Sequence, residues 1–355
     1  MNTILYPKEN KDNPYIANIC KAIVSSRYEV YDLSDIKNNH QLAKTIKIIN
    51  LNWFDSISNV SFLKACILLV RQMTRIYYYK YCGMKIIYTL HNKQAHDTKF
   101  PKINNILMKF LCKKADRIAV LCNYSKEVLK KFLSEEEILK KTRVVYLPVY
   151  TDTICENNSM VPELHNTKKT LNALFFGKIR PYKNIEMMIN IAEKFENQDI
   201  QFVFAGEPMS AEYKTLIESK CSKCSNITTI FRFIEEGEVK TLFDWSDIIL
   251  LPLAKKSVLN SSSAVMAFSL NRTVIAPEIG TLKDYPQSDL FMYDYKNEED
   301  HYAAFLKMLT NAIETWEHNP QQIREMGMRL GKYSRENFSQ DKTRERYMEL
   351  YSELE

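Results

Sequence analysis

The sequence predicts an α/β chain of two Rossmann-like domains of similar size, their parallel sheets facing a central cleft. Three observations carry this. Short apolar runs alternate with longer helical stretches throughout, the rhythm of a parallel sheet covered on both faces. A polar segment without periodicity, TDTICENNSMVPELHNTKK at 151–169, interrupts that rhythm, which then restarts. The length, 355 residues, suffices for two domains.

In order, TILY (3–6) reads as a strand, followed by an amphipathic stretch from Tyr15 to Ser25. YEVYDL (28–33) and TIKIINL (45–51) are the next strands. A long helix over Val60–Tyr81 precedes the strand MKIIYTL (84–90), and a helix over Ile103–Lys114 precedes RIAVL (117–121). RVVYLPV (143–149) closes this half. After the polar segment come the strands LNALFF (171–176), IQFVFA (200–205), ITTIF (227–231), DIILLPL (247–253) and TVIA (273–276). Helices are expected over Ile185–Phe195, Ala211–Lys220, Glu236–Trp245 and Ser262–Leu270, and 298–355 reads as helical. The expected domains are 1–152 and 170–335, joined by a linker at 153–169. The last helix, 336–355, is a candidate to return to the N-terminal domain.

Hydrophobic residues make up 45% and charged residues 26%, an ordinary globular balance. With only 7 glycines and no GxGxxG, the chain lacks the fingerprint of a nicotinamide-dependent oxidoreductase. Eight scattered cysteines are no secreted disulfide framework, and Cys221 and Cys224 read as ordinary thiols at a helix end. MNTILYP reads as a strand rather than a leader, and ACILLV is far short of the ~20 apolar residues of a spanning helix. A cytoplasmic protein is expected.

The net charge of +6 is uneven: residues 1–160 hold 25 Lys and Arg against 14 Asp and Glu, the remainder 24 against 29. A basic half suits an anionic membrane or substrate. No nucleic-acid-binding signature is present, so nucleic acid is not an expected partner.

In FFGKIRPYKN (175–184) a strand breaks at Gly177 and a helix opens at Lys183 or Asn184. Unpaired N–H groups at a helix start favour an anion, and Lys178, Arg180 and Lys183 add formal charge there. Farther on, Asn260 and Ser261, Ser262 and Ser263 open another helix. One serine suffices as a cap, so the run offers spare donors for a diphosphate.

These stretches resemble the C-terminal domain of GT-B glycosyltransferases, family 4 and its relatives in particular. That resemblance implies that Gly177, Lys178, Arg180, Lys183 and Ser261–Ser263 hold the diphosphate of a nucleotide-sugar. It also implies that the loop Arg232, Phe233, Ile234 meets the base. VFAGEP (203–208) and SLNRTVIAPEIG (269–280) resemble further family segments. One feature departs. The family's pair of donor-site glutamates falls, aligned on TVIA, at Met266 and near Val258, neither of them acidic.

In the N-terminal half, His91 ends the strand MKIIYTL, where the family often has a histidine touching the donor sugar. His91, with His96 and Asp97 on the same loop, is the candidate for acid–base work. On the long helix, Lys64, Arg71 and Arg75 fall on one stripe at about 100° per residue and are expected to face an anionic membrane. The resemblance implies transfer of a sugar, a hexose in the leading reading, from a nucleotide-diphosphate sugar to a hydroxyl of a glycan or lipid-linked glycan. Such transfer belongs to cell-surface polysaccharide or glycolipid assembly, on the inner face of the membrane. No cofactor or metal is expected. The alternative is a nucleotide-sugar-binding protein without catalysis.

Overall fold

A computed structural model of the chain describes residues 1–10, 15–25, 28–37, 39–57, 60–94, 98–150, 161, 163–164 and 170–355. It divides into two compact units, Met1–Pro148 with Lys256–Asn260 and Phe338–Glu355, and Val149–Lys255 with Ser261–Asn337.

The first unit runs β1 (Asn2–Tyr6), α1 (Tyr15–Val24), β2 (Glu29–Tyr31), α2 (His40–Thr45), β3 (Ile46–Asn52), α3 (Phe62–Tyr81), β4 (Lys85–Leu90), α4 (Pro101–Lys114), β5 (Arg117–Val120), α5 (Ser125–Leu129), α6 (Glu135–Lys141) and β6 (Thr142–Val144). The sheet order is β2-β1-β3-β4-β5-β6, with every pair parallel. β4 is buried at all residues but its first, as a strand covered on both faces must be.

The second unit runs β7 (Leu171–Phe176), α7 (Ile185–Ala192), β8 (Ile200–Ala205), α8 (Ala211–Cys221), β9 (Ile227–Ile230), α9 (Glu236–Trp245), β10 (Ile248–Leu250), α10 (Ser262–Ser269), β11 (Thr273–Pro277), β12 (Phe291–Tyr293), α11 (Glu298–His318) and α12 (Pro320–Asn337). Its sheet, also parallel, is ordered β12-β11-β10-β7-β8-β9. The chain steps outward from β7 to β9, then returns to the other side of β7. Order therefore reverses between β7 and β10, and such a switch point leaves a crevice beyond the strands' carboxyl ends.

The last helix, α13 (Gln340–Ser352), belongs to the first unit, where it packs on α1. Several expectations are revised. Residues 256–260, expected in the second domain, belong to the first unit, and the first boundary falls after Pro148 rather than at 152. Most of the expected linker lies outside the described residues. RVVYLPV follows the sheet only as far as the Val145 N–H, which donates to the Val120 carbonyl, because Tyr146, at φ 44°, turns the chain out of it. The strand at 28–33 shortens to Glu29–Tyr31, and α2, α5, α6 and β12 are additional elements.

Candidate functional site

The loops leaving β7 and β10 are tied together at the switch point of the second unit. Asn184 Nδ2 donates to the Pro252 carbonyl at 2.6 Å, and the Ala254 N–H to the Tyr182 carbonyl at 3.2 Å. Gly177, at φ 116°, turns the chain sharply out of β7, and Gly206, at φ 145°, does so after β8. The two turns touch. A Cβ at Gly206 would lie 2.1 Å from the Gly177 carbonyl oxygen, and only glycine allows that approach.

Residues Pro181–Lys183 form a single 3-10 turn, and Asn184, at φ 52°, redirects the chain into α7. The turn folds Lys183 back under Gly177. Its Nζ lies 2.9 Å from where a Gly177 Cβ would stand, and Ser263 Oγ lies 3.5 Å from the same point. Gly177 and Lys183 of one stretch and Ser263 of another are therefore gathered at one point. Lys183 is 9% exposed, with its amine 5.4 Å from the Phe175 ring centre. Among the described residues no carboxylate or carbonyl accepts from it. Burial pushes its pKa down to about 8, and the neighbouring charges of Arg180 and Lys178 push the same way. A buried ammonium without an anion is costly, so the site is built for a charge that no described residue supplies. Lys178 and Arg180 are half-buried on the same loop.

The three serines divide their work. Ser261 caps α10, its side chain accepting from the Ala264 N–H at 3.2 Å, and its own N–H donates to Thr281 Oγ1. That is the ordinary structural use of such a serine. Ser262 and Ser263 are half-buried, and Ser263 is the one gathered with Lys183. The Arg232 guanidinium is held by Glu238 through two contacts of 2.7 Å, with Glu163 at 3.5 Å. Its hydrogen bonds to Glu238 raise its pKa. Ile234 is buried, so Phe233, 52% exposed, is the side chain that this loop leaves open to a flat ligand. Val258 is buried in the first unit and Met266 is half-buried, so neither glutamate position carries a carboxylate.

In the first unit His91 follows β4 and sits in a cage. Trp53 stacks on it with ring centres 4.2 Å apart, and Tyr15 meets it edge-on at 5.2 Å. Trp53 adopts φ 51°, a conformation uncommon for a bulky residue, and this turn directly after β3 accompanies the stacking. Asn52 Nδ2 donates to the Tyr6 carbonyl and Asn50 Oδ1, which leaves Asn52 Oδ1 to accept from His91 Nε2 at 3.0 Å. Nδ1 is then the unprotonated nitrogen. Asn50 extends this network to Thr89 and Tyr351, and Tyr15 reaches Tyr347. The Asn260 amide donates to the His91 carbonyl at 2.8 Å. Burial lowers the His91 pKa to about 3, so the ring is neutral at ordinary pH and a weak base. This geometry suits a fixed hydrogen-bonding group better than the proton acceptor expected from sequence. His96 and Asp97 lie outside the described residues. Sequence reasoning missed the contacts of Asn52, Trp53 and Gly206, of which only the glycine in VFAGEP gave a signal for its position, and it counted Asn260 among the donors for a diphosphate, whereas its amide is on the His91 carbonyl.

On α3 only Ala65, Ile76 and Tyr79 are buried. Leu63, Ile67, Val70, Tyr77 and Tyr81 line one face at helical spacing, each between 51% and 91% exposed. Lys64 and Arg71 are exposed beside this line, while Arg75 is half-buried with Nη1 on Gln72 Oε1 at 3.3 Å. The outward face is thus apolar with a basic flank, not the plain basic stripe expected from sequence. No helix among the described residues is long and apolar enough to cross a membrane.

A GDP-mannose:glycolipid 4-beta-D-mannosyltransferase of Xanthomonas campestris pv. campestris is 27% identical over 133 residues, which are 37% of this chain and 38% of that relative. Among solved structures, Anabaena HepE in complex with UDP and glucose is similar with a TM-score of 0.69 at 12% identity, 99% of each chain being covered. The sucrose-phosphate synthase of Thermosynechococcus elongatus is similar with a TM-score of 0.68 at 12% identity, over 99% of this chain and 98% of that one. The fold is GT-B. The family model described as glycosyl transferases group 1 matches residues 158–336, just over half of the chain. The turns and cations built around β7 and β10 all fall in that span, and the chain belongs to the group 1 glycosyl transferases.

Proposed function

We propose that the chain transfers a hexosyl group from a nucleotide-diphosphate sugar to a hydroxyl of a glycan or lipid-linked glycan acceptor. The buried, anion-free Lys183 at the switch point is the observation that carries this reading. In the reaction the bond from the anomeric carbon to the diphosphate oxygen breaks and a bond to the acceptor oxygen forms. The acceptor proton leaves to the released phosphate or to water. Negative charge grows on the departing diphosphate, and Lys183, Lys178, Arg180 and the amide groups opening α7 stabilise it there. Phe233 offers a face to the base. The relatives' own ligands, GDP-mannose and UDP, make GDP and UDP the probes. A thermal-shift series is expected to show stabilisation by one of them and none by the matching nucleoside. Equal shifts with both would contradict a diphosphate site.

Because protein cations meet the charge, no divalent ion takes part in this scheme. Transfer is expected to survive EDTA unchanged, and loss restored by added magnesium would refute that. His91 acts as a neutral hydrogen-bonding group. The rate should therefore show no titration near pH 6.5 arising from it, and His91→Gln should lower turnover while nucleotide affinity stays within a few-fold. An acid limb near 6.5 that vanishes in His91→Gln would restore the base role.

Met266 and Val258 at the glutamate positions favour a second reading, a nucleotide-sugar-binding protein without catalysis. Slow donor hydrolysis in the absence of acceptor separates the two, since only an enzyme accelerates it. The apolar, base-flanked face of α3 supports seating on the inner face of the cytoplasmic membrane, where a glycolipid acceptor is presented.

A further inference from the structure

Lys85 opens β4 and His91 follows its end, so these residues stand about 20 Å apart at roughly 3.3 Å per residue. At the Lys85 end the first unit has a hollow of about 470 Å³ lined by seven cationic side chains and three carboxylates. Four of the cations have partners. Lys80 pairs with Asp116 at 3.1 Å, Lys113 with Glu137 at 2.8 Å and Arg117 with Glu353 at 2.6 Å. Lys141 donates to the Lys113 carbonyl at 2.7 Å. Lys85, Lys114 and Lys140 have no carboxylate partner among the described residues. The ordinary explanation is that lysines complement helix C-termini, and α3, α4 and α6 all end here. Roughly half a negative charge at each of these helix ends and at that of α13, whose following residues Glu353–Glu355 line the hollow, together with the three carboxylates, still leaves an excess of about two positive charges. Burial lowers the Lys141 pKa, with Glu137 and Asp116 pulling upward against Lys80 and Lys113.

The hollow borders α3, whose Lys80 lines it. Lys114, on its wall, lies 4.9 Å from the ring centre of Tyr77, one of the outward residues of the apolar face of α3. Neither α3 nor α4 contains a single Asp or Glu, which opposes pairing with a second copy of the same basic surface. We propose that the hollow receives the anionic headgroup of a phospholipid in the bilayer on which α3 rests. The proposal builds on the membrane reading of α3 and assigns its lipid preference to Lys85, Lys114 and Lys140.

Sedimentation of the full chain with vesicles tests it. Neutral vesicles are phosphatidylcholine; anionic ones also contain phosphatidylglycerol. A charge near an anionic surface is worth roughly a fivefold change in binding, so K85Q/K114Q/K140Q is expected to bind anionic vesicles roughly a hundredfold more weakly at low salt. Its binding to neutral vesicles should be unchanged. Leu63→Ser, Ile67→Ser and Val70→Ser together should lose both, with the far-ultraviolet circular dichroism of either variant as in the parent. If the lysine variant keeps anionic binding while the α3 variant loses it, the hollow is no headgroup site and the membrane reading survives. If the parent binds neither vesicle, both fall.

Discussion

Lys183→Met is expected to make the unliganded protein more stable while removing its affinity for diphosphate. The pKa of Lys183 is pushed from 10.5 to about 8, chiefly by burial, which corresponds to about 3 kcal/mol held against the charged form in the folded state. Methionine keeps most of the side-chain volume against Phe175 and carries no charge to bury. The midpoint of the unliganded protein should rise by roughly 5 °C. The sign with pH follows from the depressed value. Below about pH 8 the lysine is charged in both states and the penalty is present in full. Between about 8 and 10.5 the folded state releases its proton first, so stability rises with pH across that window. That rise should be absent from Lys183→Met. Thermal melts of both proteins over this pH range check it. A lower midpoint for Lys183→Met at neutral pH would mean that the amine is satisfied within the fold, and the anion-site reading would lose its basis.

Gly206→Ala is expected to cost more stability than any other single substitution near the site. The new methyl group would stand 2.1 Å from the Gly177 carbonyl oxygen and 2.7 Å from its carbon. Both are backbone atoms at the ends of paired strands, and φ 145° adds backbone strain for alanine. Relief requires parting β7 from β8, and a loss above about 3 kcal/mol is expected in urea titration. Gly177→Ala differs instructively. Its methyl group would meet the tip of Lys183, a flexible atom at 2.9 Å, so the lysine shifts more readily than the backbone. That variant should stay folded, although φ 116° imposes some strain, and lose diphosphate binding. Equal stability of Gly206→Ala and the parent would refute the close approach of the two turns.

The two-sheet architecture was legible because parallel strands buried on both faces leave long apolar runs such as LNALFF and IQFVFA. Gly177 and Lys183 were legible because turn chemistry and charge coincide at a strand end. β12 was not, since three residues of FMY are too few to show a period. The assignment of 256–260 to the first unit was hidden because only tertiary packing decides it, Leu259 being buried in that unit's core. Periodicity on α3 located a basic stripe but could not say which face packs. The sheet and α4 take Ala65, Ile76 and Tyr79, and that choice leaves the apolar line outward. Arg232 looked free in sequence because Glu238, six residues on, reads as a solvated helix residue. The environment of His91 depends on Asn52 and Trp53 from a neighbouring strand, a pairing that no local pattern announces.

The central claim is that the chain builds an anion site at the end of β7 whose affinity resides in charge. Calorimetric titration of the parent and Lys183→Met with GDP and UDP, and with guanosine and uridine, tests it most directly. A charge-assisted contact contributes roughly 1.5–3 kcal/mol, so Lys183→Met should weaken the preferred nucleoside diphosphate by about ten- to a hundredfold and leave its nucleoside unchanged. Equal losses for nucleoside and nucleoside diphosphate, or no loss for either, would contradict it.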